Sequence, residues 1–164
     1  MPKISLRRPS LALAGILIAI GGCAESPSSP SGAQFLARGP HPRYDVTGSR
    51  SAVIDQRGGT LVTAAGDRIT FPAGSLTAPT SITITSNDDF VGVELQPHGL
   101  RFPHGRQPVL ELNTAGAAAG AGNSVDVAYV DENGAIAEVL DASASGGDLR
   151  TNLQHFSGYL AISH

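Results

Sequence analysis

The chain of 164 residues carries a formal net charge of −3 and is 41% hydrophobic, 15% charged and 5% aromatic. That length accommodates one domain with appendages rather than two domains. A single cysteine excludes an internal disulfide framework and a cysteine-based zinc cage, and the acidic balance disfavours nucleic acid as a partner.

Residues 1–22 have the pattern of an export signal. Lys3, Arg7 and Arg8 supply a positive start, and Leu11 to Ile20 is an apolar run of ten residues. A membrane-crossing helix needs roughly 18–20 such residues, so the run suits a cleavable leader instead. Arg7-Arg8 is read as charge of the leader, because Pro9-Ser10 does not continue a twin-arginine signal. The run ends in Ile20-Gly21-Gly22-Cys23. Small residues let the backbone enter a protease cleft, and a thiol is the strongest nucleophile available for alkylation. This stretch resembles the bacterial lipobox, and the resemblance implies cleavage before Cys23 and acylation of Cys23. Two or three acyl chains on one residue anchor stably where one does not. Ala24, where an aspartate commonly marks inner-membrane retention, favours the outer membrane of a diderm envelope. The chain from Cys23 onward holds eight arginines against 14 acidic residues, a net of −6.

Residues 23–50 read as a flexible tether. Ser26-Pro27-Ser28-Ser29-Pro30-Ser31-Gly32 and Arg38-Gly39-Pro40-His41-Pro42 lack any apolar periodicity. Arg38, Arg43 and Arg50 are candidates for contact with anionic headgroups.

From Ala52 the apolar period becomes two. Strands are expected at Ala52–Asp55, Thr60–Thr63, Arg68–Phe71, Ser81–Thr85, Val91–Leu95, Val109–Leu112, Val125–Val130, Ala135–Val139, Leu149–Leu153 and Gly158–Ile162. Asp131-Glu132-Asn133-Gly134 reads as a four-residue hairpin loop. The glycines of Ala115–Gly122 and Ala142–Gly147 make both stretches loops rather than helices. Nine or ten short strands without an amphipathic helix predict an all-β fold, an antiparallel sandwich over residues 51–164.

Three turns of this body occur in a recognisable order. They are Gly58-Gly59-Thr60-Leu61, then Ile69-Thr70-Phe71-Pro72-Ala73-Gly74-Ser75-Leu76, then Leu95-Gln96-Pro97-His98-Gly99-Leu100-Arg101-Phe102 before Gln107-Pro108-Val109-Leu110. Residues 57–113 thereby resemble the ZU-five domain, a β-sandwich of netrin receptors, ankyrins and tight-junction scaffolds with related copies in bacterial surface proteins. The resemblance implies an interaction or scaffold module with no shared catalytic centre. Its matching residues have structural uses of their own. Gly74 and Gly99 can take positive φ, Pro72 and Pro108 suit strand ends, and Phe71 and Phe102 are expected core rings.

The sharpest chemical motif is His155-Phe156-Ser157. Some proteins that contain ZU-five domains split their own backbone at such a site. His155 would help remove the Ser157 proton, and Ser157 Oγ would attack the Phe156 carbonyl. The resulting ester would be hydrolysed, and Ser157–His164 would remain held in the sheet. That chemistry needs a strained peptide. The competing reading makes these residues part of a terminal core strand.

His98, His104 and His155 lack metal-ligand spacing, and Asp131–Gly134 supplies only part of a calcium loop. Asp88-Asp89 reads as a solvated loop. No cofactor or metal is implied. The expected function is therefore a membrane-anchored envelope lipoprotein with a non-catalytic binding or structural module. Its expected partners are membrane lipid through Cys23 and a protein or envelope polymer. Self-cleavage at Phe156–Ser157 and a glycan-binding or hydrolase domain are the alternatives.

Overall fold

The computed structural model describes residues 32–39, 48–117, 124–131 and 133–164. The expected leader 1–22, Cys23, Ala24, Arg43 and Glu132 lie outside the described residues. Twelve strands form two antiparallel sheets, and no helix occurs among the described residues. The strands are β1 (Gln34–Phe35), β2 (Ser49–Ile54), β3 (Gly59–Val62), β4 (Arg68–Phe71), β5 (Thr80–Ser86), β6 (Gly92–Gln96), β7 (Val109–Asn113), β8 (Val125–Val130), β9 (Ile136–Leu140), β10 (Ser143–Ser145), β11 (Asp148–Asn152) and β12 (Gly158–Ser163). The larger sheet has the order β2-β5-β6-β12-β8-β9, with β1 beside β12. The smaller runs β10-β11-β7-β4-β3. The expected all-β antiparallel sandwich is the observed architecture.

Alternation puts one face of each sheet inside. In β5 the buried positions are Ile82, Ile84 and Ser86, and in β7 they are Leu110 and Leu112. Ile69, Leu95, Leu149 and Leu153 complete the aliphatic centre, beside the buried ring of Tyr159. Phe71, Phe102 and Phe156 meet edge to face, with centroid separations of 5.1–6.0 Å. Each such pair adds about 0.5–1.5 kcal/mol beyond its burial. The expected core roles of Phe71 and Phe102 hold, although Phe102 is only partly buried.

The outer faces are tied by polar pairs across the ladders. Ser49 and Ser51 hydroxyls of β2 meet Thr85 and Thr83 of β5. Glu111 of β7 lies between Arg68 of β4 and Arg150 of β11, at 3.7 and 3.1 Å. Exposed pairs of this kind contribute about 0–1 kcal/mol each, so they favour the register more than the total stability.

Three expectations are corrected. The domain does not start at residue 51. Gln34 and Phe35 pair with Ser163 and Ile162 of β12, Leu36 is buried, and the Leu36 N–H donates to the Ala161 carbonyl. Arg38 is not available to headgroups, because it is buried and its Nη2 lies 2.8 Å from Asp67 Oδ2. Burial of Leu36 together with a paired guanidinium outweighs the loop-like composition around them. Nor is Ala142–Gly147 wholly a loop. Ser143–Ser145 form β10, and Gly146 and Gly147, with φ of 65° and 92°, make the two-residue turn into β11. The Asp131 hairpin is as expected. Asp131 Oδ1 accepts from the Asn133 and Ala135 N–H groups, and Gly134 has φ of 76°.

Candidate functional site

β6, β12 and β8 lie side by side, and their ends nearest Gln96, Gly158 and Val130 open into a cleft of about 340 Å³. Its position follows from the register. Val93, Tyr159 and Tyr129 stand opposite one another, and the next row is Glu94, Gly158 and Val130. The first row packs against the core. The second row faces the other way, since successive side chains alternate. Gly158 keeps the floor low. A Cβ there would come within 2.8 Å of Glu94 Oε2 and 3.3 Å of Val130 Cγ2.

Polar groups from four segments line this cleft. Glu94 of β6 is hydrogen-bonded to His98 of the following turn through Oε1 and Nε2. Gly99 in that turn has φ of 74°, and its N–H donates to the Phe156 carbonyl. Phe156 N–H donates to the Leu100 carbonyl, and Arg101 bridges to His155. The 99–102 segment is thus laced to 154–156, which places Arg101 and His155 at the same rim. Asp131 enters from the β8–β9 hairpin. The backbone hydrogen bond from Ala135, followed by those from Asn133, holds its carboxyl below the usual carboxylate range.

His155 is positioned by aromatic neighbours. Its ring lies 5.0 Å from that of Tyr129, nearly perpendicular at 76°. The Tyr159 hydroxyl donates to the His155 carbonyl at 2.6 Å and lies 3.3 Å from His155 Nδ1. His155 Nε2 faces Glu138 Oε2 of β9 at 3.7 Å. Burial, reinforced by the Glu138 and Tyr129 charges, pushes the Tyr159 phenol above its ordinary value.

The structure brings His98, His155, Phe156 and Ser157 together at one cleft but leaves His104 on the exposed 103–106 turn. The His155 ring is engaged by Tyr159, Tyr129 and Glu138, and among the described residues no hydrogen bond joins it to Ser157. The peptide groups on either side of the Phe156–Ser157 link are regularly bonded. Phe156 N–H and carbonyl pair with Leu100 and Gly99, and the Ser157 carbonyl accepts from Leu95. No non-glycine residue among those described has positive φ, so this link carries no strain of that kind. Asp88 and Asp89 are exposed as expected, and they border a second cleft that shares Glu94, Val130 and Gly158 with the first.

Sequence reasoning missed Glu94, Arg101 and Tyr129 as lining residues. Glu94 alone had a usable signal, as the outward charge between buried Val93 and Leu95. Arg101 and Tyr129 reach the cleft through pairings across the sheet that local sequence does not mark. In comparison with known proteins, no family model and no curated protein matches this chain.

Proposed function

We propose that the protein is a lipid-anchored envelope lipoprotein whose sandwich is a non-catalytic binding or structural module. The observation that carries the binding half is the cleft over Gly158. Carboxylates, imidazoles, a guanidinium and a phenol ring converge there on an open surface. Such a mixed lining suits a polar partner, a protein segment or an envelope glycan. The Ile20-Gly21-Gly22-Cys23 stretch supports the anchor half, and Ala24 favours the outer membrane. The ZU-five resemblance of residues 57–113 supports interaction over catalysis.

Intact mass of protein extracted from membranes tests both halves. The expected species starts at an acylated Cys23 and runs unbroken to His164, and the Cys23→Ala form leaves the membrane fraction. A mass short by Ser157–His164, restored by Ser157→Ala, would replace this reading with self-cleavage. Co-sedimentation with purified peptidoglycan sacculi and with an envelope protein extract, comparing wild type with Glu94→Ala/His98→Ala, reads the cleft. Equal recovery of both forms in every fraction would remove the cleft from the proposal.

A further inference from the structure

Residues 34–38 decide which end of the sandwich the anchor leaves from. β1 runs antiparallel to β12, with Gln34 opposite Ser163 and Phe35 opposite Ile162. It extends the lane of β6, which pairs with β12 only from Gly158 to Leu160. The chain before Gln34 therefore departs at the Ser163 end of β12. Ser124 and His164 lie at that same end and exchange two backbone hydrogen bonds. The Gly158 end, with the cleft, is opposite.

The attachment is firm. Leu36 N–H donates to the Ala161 carbonyl, and Leu36 accepts from Val91 N–H, both at 2.8 Å. Arg38 binds the Asp67 carboxylate at 2.8 Å, the Gly92 carbonyl at 3.2 Å and the Asn87 carbonyl at 3.0 Å. Gly39 lies hard against Gly116, where a Cβ would collide with its carbonyl. The chain is thus fixed to the body from Gln34, so a lipid on Cys23 is joined to it by only 11 residue steps.

We infer that the sandwich is held with its Ser124–His164 end toward the bilayer and the Gly158 cleft opening away from it, toward a partner in the aqueous phase. This rests on the anchor reading of Cys23. Whatever its conformation, a chain of 11 steps reaches at most about 40 Å. A sandwich with strands of five to seven residues, plus its loops, is on the order of 30 Å tall. Inversion would therefore draw the tether nearly taut.

The chain contains no tryptophan, so one introduced residue is a unique reporter. Ser124→Trp marks the near end, and Asn133→Trp and His104→Trp mark exposed sites at the far end. Ser124 and Asp131 are separated by seven strand steps, about 24 Å. Lipidated protein is reconstituted in phosphatidylcholine vesicles containing dansyl-labelled phosphatidylethanolamine. Energy transfer is expected to be severalfold greater from Ser124→Trp than from either far reporter. Adding Arg38→Ala, which unhitches β1, should shrink that difference. Equal transfer from both ends, or stronger transfer from Asn133→Trp and His104→Trp, overturns the orientation. Vesicle attachment that survives Cys23→Ala instead overturns the anchor reading, and the orientation with it.

Discussion

Replacement of Arg38 by alanine separates a structural latch from a solvated tether. The Arg38 side chain is 1% exposed and that of Asp67 is 0% exposed. Asp67 Oδ2 is also 2.6 Å from Ser86 Oγ, which itself contacts Thr63, and Oδ1 accepts from the Asn113 N–H. Arg38→Ala leaves that carboxylate in the interior with two neutral donors and no counter-charge. Removing one partner of a buried ion pair costs about 3–5 kcal/mol. A domain of this size has a total stability on the order of 5–15 kcal/mol. At about 3–4 °C per kcal/mol, the midpoint should fall by about 10–20 °C. Urea and thermal unfolding of the mature chain, followed by circular dichroism, measure the loss. The pair itself is not worth that much, because Arg38 Nη1 finds no partner among the described residues and both charges are desolvated. The double variant Arg38→Leu/Asp67→Leu should therefore be more stable than either single variant. A loss below about 1 kcal/mol for Arg38→Ala, the range of a surface substitution, would refute the latch.

Two glycines of the larger sheet should respond in opposite ways. A Cβ at Gly92 overlaps the Tyr159 carbonyl and sits 3.0 Å from Leu160 Cα, so Gly92→Ala should cost about 1–3 kcal/mol or more in denaturant unfolding. At Gly158 the nearest obstacle is the movable end of Glu94, so Gly158→Ala should stay within about 1 kcal/mol while filling the cleft floor, visible as lost ligand recovery rather than lost stability. Phe156→Ala removes a buried ring from the edge-to-face trio and should cost about 3–5 kcal/mol by the same unfolding assay. Tyr159 has a raised folded pKa, so the unfolded chain loses its proton first as pH rises. Its contribution is complete below about pH 10 and falls above it, by at most about 1.4 kcal/mol per pH unit, and Tyr159→Phe should flatten that alkaline slope.

The ten strands expected from alternation all exist, and the pattern is plainest in β5 from Ser81, in β7 and in β11, where buried positions alternate with more accessible ones. β10 escaped because Ser-Ala-Ser next to glycines carries no apolar alternation, yet its backbone pairs with β11 regardless of side chain. Its signal was present as Gly146-Gly147, a glycine pair of the kind that closes two-residue hairpins. β1 and the Arg38–Asp67 pair had no local signal, since 29 positions separate the two charges and each sits in loop-like sequence. The cleft was half legible. His98, His155 and Ser157 stood out as reactive residue types, but their meeting depends on the 99–102 segment lacing onto 154–156. The same lacing shows why His155 faces Tyr159 instead of Ser157.

β12 is the last of the twelve strands to be synthesised, yet it lies in the middle of the larger sheet, between β6 with β1 on one side and β8 on the other. Until those residues emerge, β2-β5-β6 and β8-β9 are separate ribbons with unpaired inner edges. The larger sheet is thus incomplete until β12 is available, and its closing contacts join Gln34 to Ser163. Such long-range closure makes folding slow relative to a local hairpin. A nascent or translocating chain would expose two adhesive edges for that interval, so prompt arrival of β12 protects it from edge-to-edge association.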